Sequence, residues 1–181
     1  KTQPLESLLE RDGLDVFVKD VLGECGEGVF SLKVTDGTIR INGTRRDIAS
    51  LRQKCVDKSL LQVRVIQHPQ LDRLNPHSVN CLRIITARKA NQIVPLSGLL
   101  KAGSSASPCD NWAAGGIIIG VNLKTGKLNE HGFYKPAYGR KVAAHPETGV
   151  RFKDFDVPYL AQSVELARQV HRYFYGIHSI G

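Results

Sequence analysis

Lys19 and the three glycines that follow it, Gly23, Gly26 and Gly28, have the types and spacing to do chemistry on a phosphate. An apolar, β-branched run from Leu14 leads to Lys19, and a second run of strand type begins at Val29, so the segment reads as strand, glycine loop, strand. Glycine admits positive φ and lets backbone N–H groups approach a ligand with no Cβ in the way, while a lysine at a strand end supplies a point charge. No Gly-Lys-Ser/Thr closes the segment, and its glycine order is not that of a dinucleotide fingerprint, which argues against both of those nucleotide folds. An ordinary mobile turn has the same composition, so the weight falls on the rest of the chain.

Arg83 is the second cation of interest. Across residues 78–86 strict alternation puts Val79, Cys81, Arg83 and Ile85 on one face, and a charge on an otherwise apolar face calls for an anionic partner. A structural salt bridge would answer that need as well as a ligand. Residues 103–116 are the richest in loop formers. There Asp110 and Asn111 stand beside the only tryptophan and ahead of Gly115 and Gly116, where backbone can approach a ligand, although a capped turn looks much the same. His145-Pro-Glu-Thr-Gly reads as a structural turn rather than a catalytic one.

Composition narrows the class. The 181 residues suit one domain of ordinary size, and 41% hydrophobic residues suffice for a core. No apolar run approaches the ~20 residues of a membrane helix, and the first residues lack the apolar centre of a signal peptide, so a cytoplasmic protein is expected. Cys25, Cys55, Cys81 and Cys109 are widely spaced, with no Cys-x-x-Cys and no His at metal-ligand spacing, which favours free thiols over bridges or zinc. A net charge of +8 fits either a pocket for a phosphorylated ligand or a polyanion surface; the lysines and arginines are scattered, in adjacent pairs such as Arg45-Arg46 and Arg140-Lys141 rather than in longer runs. The sequence begins at Lys1, contains no methionine and stops at Gly181 directly after an apparent helix, so a fragment is expected.

The elements that must position these residues follow from periodicity. A short helix is expected from Pro4 to Arg11 with Gly13 as its stop, a hairpin over 29–42 turning at Asp36-Gly37, and a helix over 47–58. A strand over 60–68 should end at Pro69, residues 78–86 form another, and Pro95 suggests an edge position for the strand over 92–100. Ile117 to Leu123 reads as a buried strand returning through Thr125-Gly126. Over 158–174 Leu160, Val164, Ala167, Val170 and Phe174 form a helical stripe, with Asp156 ahead of it as an N-cap. Strands outnumber helices and come in hairpins, so the fold class is α+β with a mainly antiparallel sheet.

Phe17-Val-Lys-Asp followed by Gly23-x-x-Gly-x-Gly-Val resembles the lysine strand and glycine loop of the ATP-grasp superfamily. Leu61-Gln-Val-Arg-Val-Ile-Gln-His-Pro, Ser78-Val-Asn-Cys-Leu-Arg-Ile-Ile-Thr, Cys109-Asp-Asn-Trp-Ala-Ala-Gly-Gly and His145-Pro-x-Thr-Gly resemble, in sequence and order, the sugar-transfer-associated ATP-grasp branch, whose members are often labelled hexapeptide-transferase-like. The resemblance covers most of residues 14–181. It implies two α+β lobes, about 1–66 and 67–181, with ATP between them. Lys19 would contact phosphate, the loop with Gly23, Gly26 and Gly28 would close over it, and the strand end Gln62, Val63 and Val65 would present backbone to adenine. Arg83 would face phosphates or an acyl-phosphate as the catalytic cation, with Asn80, Asp110, Asn111, Gly115 and Gly116 lining the substrate side. ATP and Mg²⁺ are the implied cofactors, and an unidentified carboxylate is the implied substrate.

Two departures stand out. Val63 occupies the place where related hinges carry an acidic residue that holds the nucleotide. The strand that carries the branch's magnesium ligands would fall beyond Gly181, so no metal ligand is assigned within the sequence. Three readings remain: an ATP-dependent carboxylate ligase, inactive as a fragment; a non-catalytic ATP-grasp-like module; and a basic polyanion-binding domain. The last is disfavoured because no series of base-stacking aromatics accompanies the charge.

Overall fold

A computed structural model describes residues 7, 9–23, 28–55, 58–104, 112, 115–138 and 140–181. The chain divides into two compact units, Lys1–Ile66 and Gln67–Gly181. Both are built on antiparallel sheets, which makes the class α+β. Among the described residues no helix is long and apolar enough to cross a membrane.

In the first unit β1 (Leu14–Asp20), β2 (Phe30–Thr35), β3 (Thr38–Ile41), β4 (Thr44–Arg46) and β5 (Ser59–Val63) form one sheet in the order β4-β3-β2-β1-β5. Asp36 and Gly37 both take positive φ, 48° and 66°, the twist that lets a two-residue turn join β2 to β3. Asn42 and Gly43 repeat the device at 49° and 77°, which produces β4, a strand the periodicity reading leaves out. Alternation along the strands sends Val16, Val18, Phe30, Leu32, Val34 and Ile41 to one face, where they bury Leu51 of helix α1 (Ile48–Lys54), and Leu9 packs on the same core. Helix α1 is shorter than expected: Asp47 caps its start, its carboxylate accepting the Ser50 N–H at 2.8 Å, and Cys55 is already extended. Of the expected Pro4–Arg11 helix, Ser7 and Leu9 are helical and the rest lies largely outside the described residues.

Pro69 does not end β5, which stops at Val63. It opens the short helix α2 (Pro69–Asp72), a position where the missing N–H costs nothing, and His68 Nδ1 accepts the Gln70 N–H at 3.1 Å.

The second unit carries β6 (Cys81–Lys89), β7 (Gln92–Ala102), β8 (Ile117–Val121), β9 (Leu128–Phe133), β10 (Lys141–Val142) and β11 (Ser179–Ile180), in the order β10-β9-β8-β7-β6-β11. Pro95 is not on an edge strand, since β7 lies between β6 and β8. It is tolerated because β8 pairs with β7 only from Gly98 onward, and because the register slips next to it, Ile85 pairing with Ser97 but Thr86 with Pro95. The core of this unit gathers Leu100, Ile117, Ile119 and Leu128 from the sheet with Phe152, Phe155, Val157 and Leu160.

Helix α3 (Leu160–Arg172) differs from its expected stripe at both ends. Tyr159, at φ 53°, is its N-cap, while Asp156 pairs with Lys127 at 3.1 Å. Near the C-terminus Val170 and Phe174 are about half exposed, and the buried position belongs to His171. Its Nε2 donates to the Ile177 carbonyl at 3.1 Å, which leaves Nδ1 to accept from the Thr86 hydroxyl at 2.7 Å. A histidine with both nitrogens used is as acceptable in this core as the valine one residue earlier would have been.

Candidate functional site

Because Val16 and Val18 face the core, Asp15, Phe17 and Lys19 share the opposite face of β1. Lys19 is half-buried there, opposite Leu60 of β5, and has no carboxylate partner among the described residues. Its neighbours are committed. Arg64 donates to Asp15 at 3.1 Å and places its guanidinium carbon 5.2 Å over the Phe17 ring, and Lys33 lies 4.0 Å from the same carboxylate. Asp15, Phe17 and Arg64 are thus part of Lys19's surroundings that spacing alone does not reveal.

The sheet register also gathers cations that the sequence scatters. Lys33 pairs with Arg40 and Arg40 with Arg45, so the three side chains stand in a row on this same face, with Asp15 opposite Lys33 as the carboxylate beside them.

The described start of the glycine loop is tied to Asp20. The Leu22 N–H donates to its carboxylate at 2.9 Å and the Gly23 N–H to its carbonyl at 3.2 Å. Gly28 takes φ 69°, a conformation in which other residues are strained. Gly26 lies outside the described residues. On the other side of β1, β5 is an edge strand, so its outer backbone groups have no strand partner among the described residues. Gln62 is exposed opposite Phe17, Val63 is 76% exposed opposite Val16, and Val65 is exposed beyond the strand end. Exposed Leu60, Leu61, Val63 and Val65 make this edge apolar.

In the second unit Arg83 is exposed, not buried. The even-numbered residues of β6, Leu82 and Thr86, are the ones that meet the core and α3, so Arg83 projects from the opposite face, where water can solvate it. Its need for an anion, argued from burial, falls away, and it has no ion-pair partner among the described residues. Asn80, 3% exposed, sits immediately before β6. Its Nδ2 donates to Gln67 Oε1 and to the Leu71 and Asn75 carbonyls at 2.9 to 3.0 Å, holding the 67–80 segment closed, while its Oδ1 has no partner among the described residues. Asp110 and Asn111 lie outside the described residues. Gly115 takes φ 92° and its carbonyl accepts from the Ser104 hydroxyl; Gly116 is buried beside it. His145 is buried, with Nε2 on the Gly103 carbonyl at 2.8 Å and Nδ1 facing the Glu147 N–H at 3.4 Å, so it is spent on structure. Burial pushes the Cys55 thiol above its ordinary value, making it a poor nucleophile at neutral pH, and the Cys81 thiol donates to the Val79 carbonyl at 3.7 Å; Cys25 and Cys109 lie outside the described residues.

The family model for sugar-transfer associated ATP-grasp proteins matches residues 1–181. The chain belongs to that family. No curated protein and no solved structure matches it. As a sugar-transfer associated ATP-grasp protein it is an ATP-binding chain. Its first unit has a lysine without a carboxylate partner among the described residues and, beside it, an apolar edge strand. Magnesium fits less well. Among the described residues no group of three or more His, Cys, Asp or Glu could hold a metal ion.

Proposed function

We propose that this sugar-transfer associated ATP-grasp chain binds ATP with Lys19 at the phosphates, the backbone of Gly23, Gly26 and Gly28 over them, and the edge of β5 at Gln62, Val63 and Val65 against adenine. The observation that carries the reading is Lys19 itself, a half-buried cation with no carboxylate partner among the described residues, on a strand hydrogen-bonded to that apolar edge. Arg83 is the second cation assigned to the phosphates, and Asn80, Asp110, Asn111, Gly115 and Gly116 are assigned to the substrate side.

The chemistry proposed is activation of a carboxylate. A carboxylate is a poor electrophile, so its oxygen attacks the γ-phosphorus, the bond to the β-phosphate oxygen breaks and ADP leaves. An amine or similar nucleophile then attacks the acyl carbon, inorganic phosphate departs with the bonding pair, and the nucleophile's proton passes to solvent. The protein's part is positioning and charge neutralisation, with no covalent nucleophile of its own. A polysaccharide or peptide acceptor, and the link to hexapeptide-transferase-like proteins, belong to the same proposal. Mg²⁺ belongs to the same proposal, as the ion that would neutralise charge on the transferring phosphate.

Calorimetry with ATP and Mg²⁺ tests the binding step. Lys19→Ala should weaken ATP by about tenfold or more, roughly 1.4 kcal/mol. No ATP heat, or an affinity indifferent to Lys19, overturns the assignment. The row of Lys33, Arg40 and Arg45 favours a second reading, a polyanion surface; polynucleotide binding that weakens steeply with salt and is lost on Arg40→Gln would select it.

A further inference from the structure

The second unit contains a cavity of about 400 Å³ lined by Arg88, Asn91, Gln92, Ile93, Val94, Glu165, Arg168 and Arg172. Arg88 belongs to β6, Asn91 to the turn after it, and the glutamate and the other two arginines to α3. Arg88 shares the face of β6 that carries Thr86 and meets α3, whereas Arg83 projects from the other face, so the cavity lies across the sheet from the cation assigned to ATP.

Its charge is not balanced from within. Three guanidinium groups meet one carboxylate, a net of +2, and the single pairing, Arg168 Nη1 to Glu165, is long at 3.6 Å. Arg172 has no ion-pair partner among the described residues. Arg88 spends Nη2 on the carbonyls of His171 and Phe174, both at 3.4 Å, at the end of α3. The Nε atoms of Arg88 and Arg168 are both shielded from solvent and have no acceptor among the described residues. A charged donor without water or partner is costly, and two beside one cavity call for an acceptor that the described residues do not supply.

We propose that this cavity is a second ligand site, which takes the phosphate of a small phosphomonoester. A dianion matches the net charge, and three arginines offer the planar forks that phosphate oxygens accept in pairs. Reaching the Nε donors takes a side-chain adjustment of Arg88 and Arg168, since neither atom is open to solvent. A cavity of this volume falls within the range of small-ligand sites and exceeds what a bare phosphate fills; the amides of Asn91 and Gln92 and the apolar Ile93 and Val94 are left for the body of the ligand. The site is separate from the nucleotide reading and does not depend on it.

Titration with inorganic phosphate and with glycerol 3-phosphate, followed through the arginine Nε–Hε resonances in nuclear magnetic resonance, tests the proposal. The Arg88 and Arg168 signals should shift and saturate, with the ester binding more tightly than inorganic phosphate. Arg172→Gln, at an exposed position that leaves the core intact, and Arg168→Gln should each weaken binding about tenfold, Arg168→Lys should restore only part of the loss, and Lys19→Ala should change nothing. Absence of saturable shifts, affinities untouched by both glutamine substitutions, or loss of binding on Lys19→Ala would overturn it, the last by placing the phosphate in the nucleotide site.

Discussion

At Gly132 of β9 a single methyl group has nowhere to go. A Cβ built there would lie 2.7 Å from Ile117 Cγ2, 2.8 Å from Ile119 Cγ1 and 2.9 Å from Phe152 Cε2, all in the buried heart of the second unit. Gly132→Ala should therefore cost about 1–3 kcal/mol by overpacking, read as a lower urea midpoint. Asp47 offers the converse, a side chain whose charge is useful. Hydrogen bonds from the Ser50 side chain and backbone hold its carboxyl below the ordinary 3.8. A depressed pKa means the folded state prefers the carboxylate, so the cap contributes fully above the unfolded value and is lost as pH falls through the folded one. Wild type and Asp47→Ala should differ in stability at neutral pH and converge in acid, as urea melts across pH would show. Arg83 marks where residue-level reading fails. Both faces of β6 look apolar, Val79, Cys81 and Ile85 on one and Leu82 and Ile84 on the other, and alternation with period two cannot say which face a helix will cover. Burial assigned from that pattern fell on the wrong side.

At the scale of elements, local signals were readable wherever the backbone needs a special conformation. Asp36-Gly37 announces its hairpin, and Asn42-Gly43 carries the same signal for β4, which is hard to see because the strand after it, Thr-Arg-Arg, is short and fully exposed. Long-range pairing is another matter. Nothing in residues 92–100 reveals that β8 will join β7 only past Pro95, and nothing in α3 reveals that His171 will find Thr86 85 residues away. The strand that carries Lys19 was legible because its alternation is local, while the row of Lys33, Arg40 and Arg45 and the arginine cavity arise only when strands and helix come together. His171 ties α3, β6 and the segment leading to β11 into one assembly. His171→Ala removes both bonds and leaves the Ile177 carbonyl without its donor, a loss of about 1–3 kcal/mol. Hydrogen exchange should show it as faster exchange at the β6–β11 pairing, with β8 and β9 unchanged.

At the scale of the molecule, each unit has its own sheet and its own core, and the chain is fastened on either side of the boundary. Arg64 is held in the first unit by Asp15, through its side chain at 3.1 Å and its backbone N–H at 3.4 Å. Gln67 is held in the second, its amide donating to Asp72, Asn75 and Ser78 and accepting from Asn80. Only Val65 and Ile66 remain between those anchors, both exposed and neither part of a helix or strand. That two-residue bridge is where the polypeptide tolerates rewriting. A few glycines and serines spliced in after Ile66 should leave the spectroscopic signature of both sheets intact, while the same insert after Val18 or Leu100 should unfold the unit that receives it. Thermolysin, which cuts ahead of bulky aliphatic residues, has at this bridge two exposed aliphatic side chains in a stretch that belongs to no helix or strand.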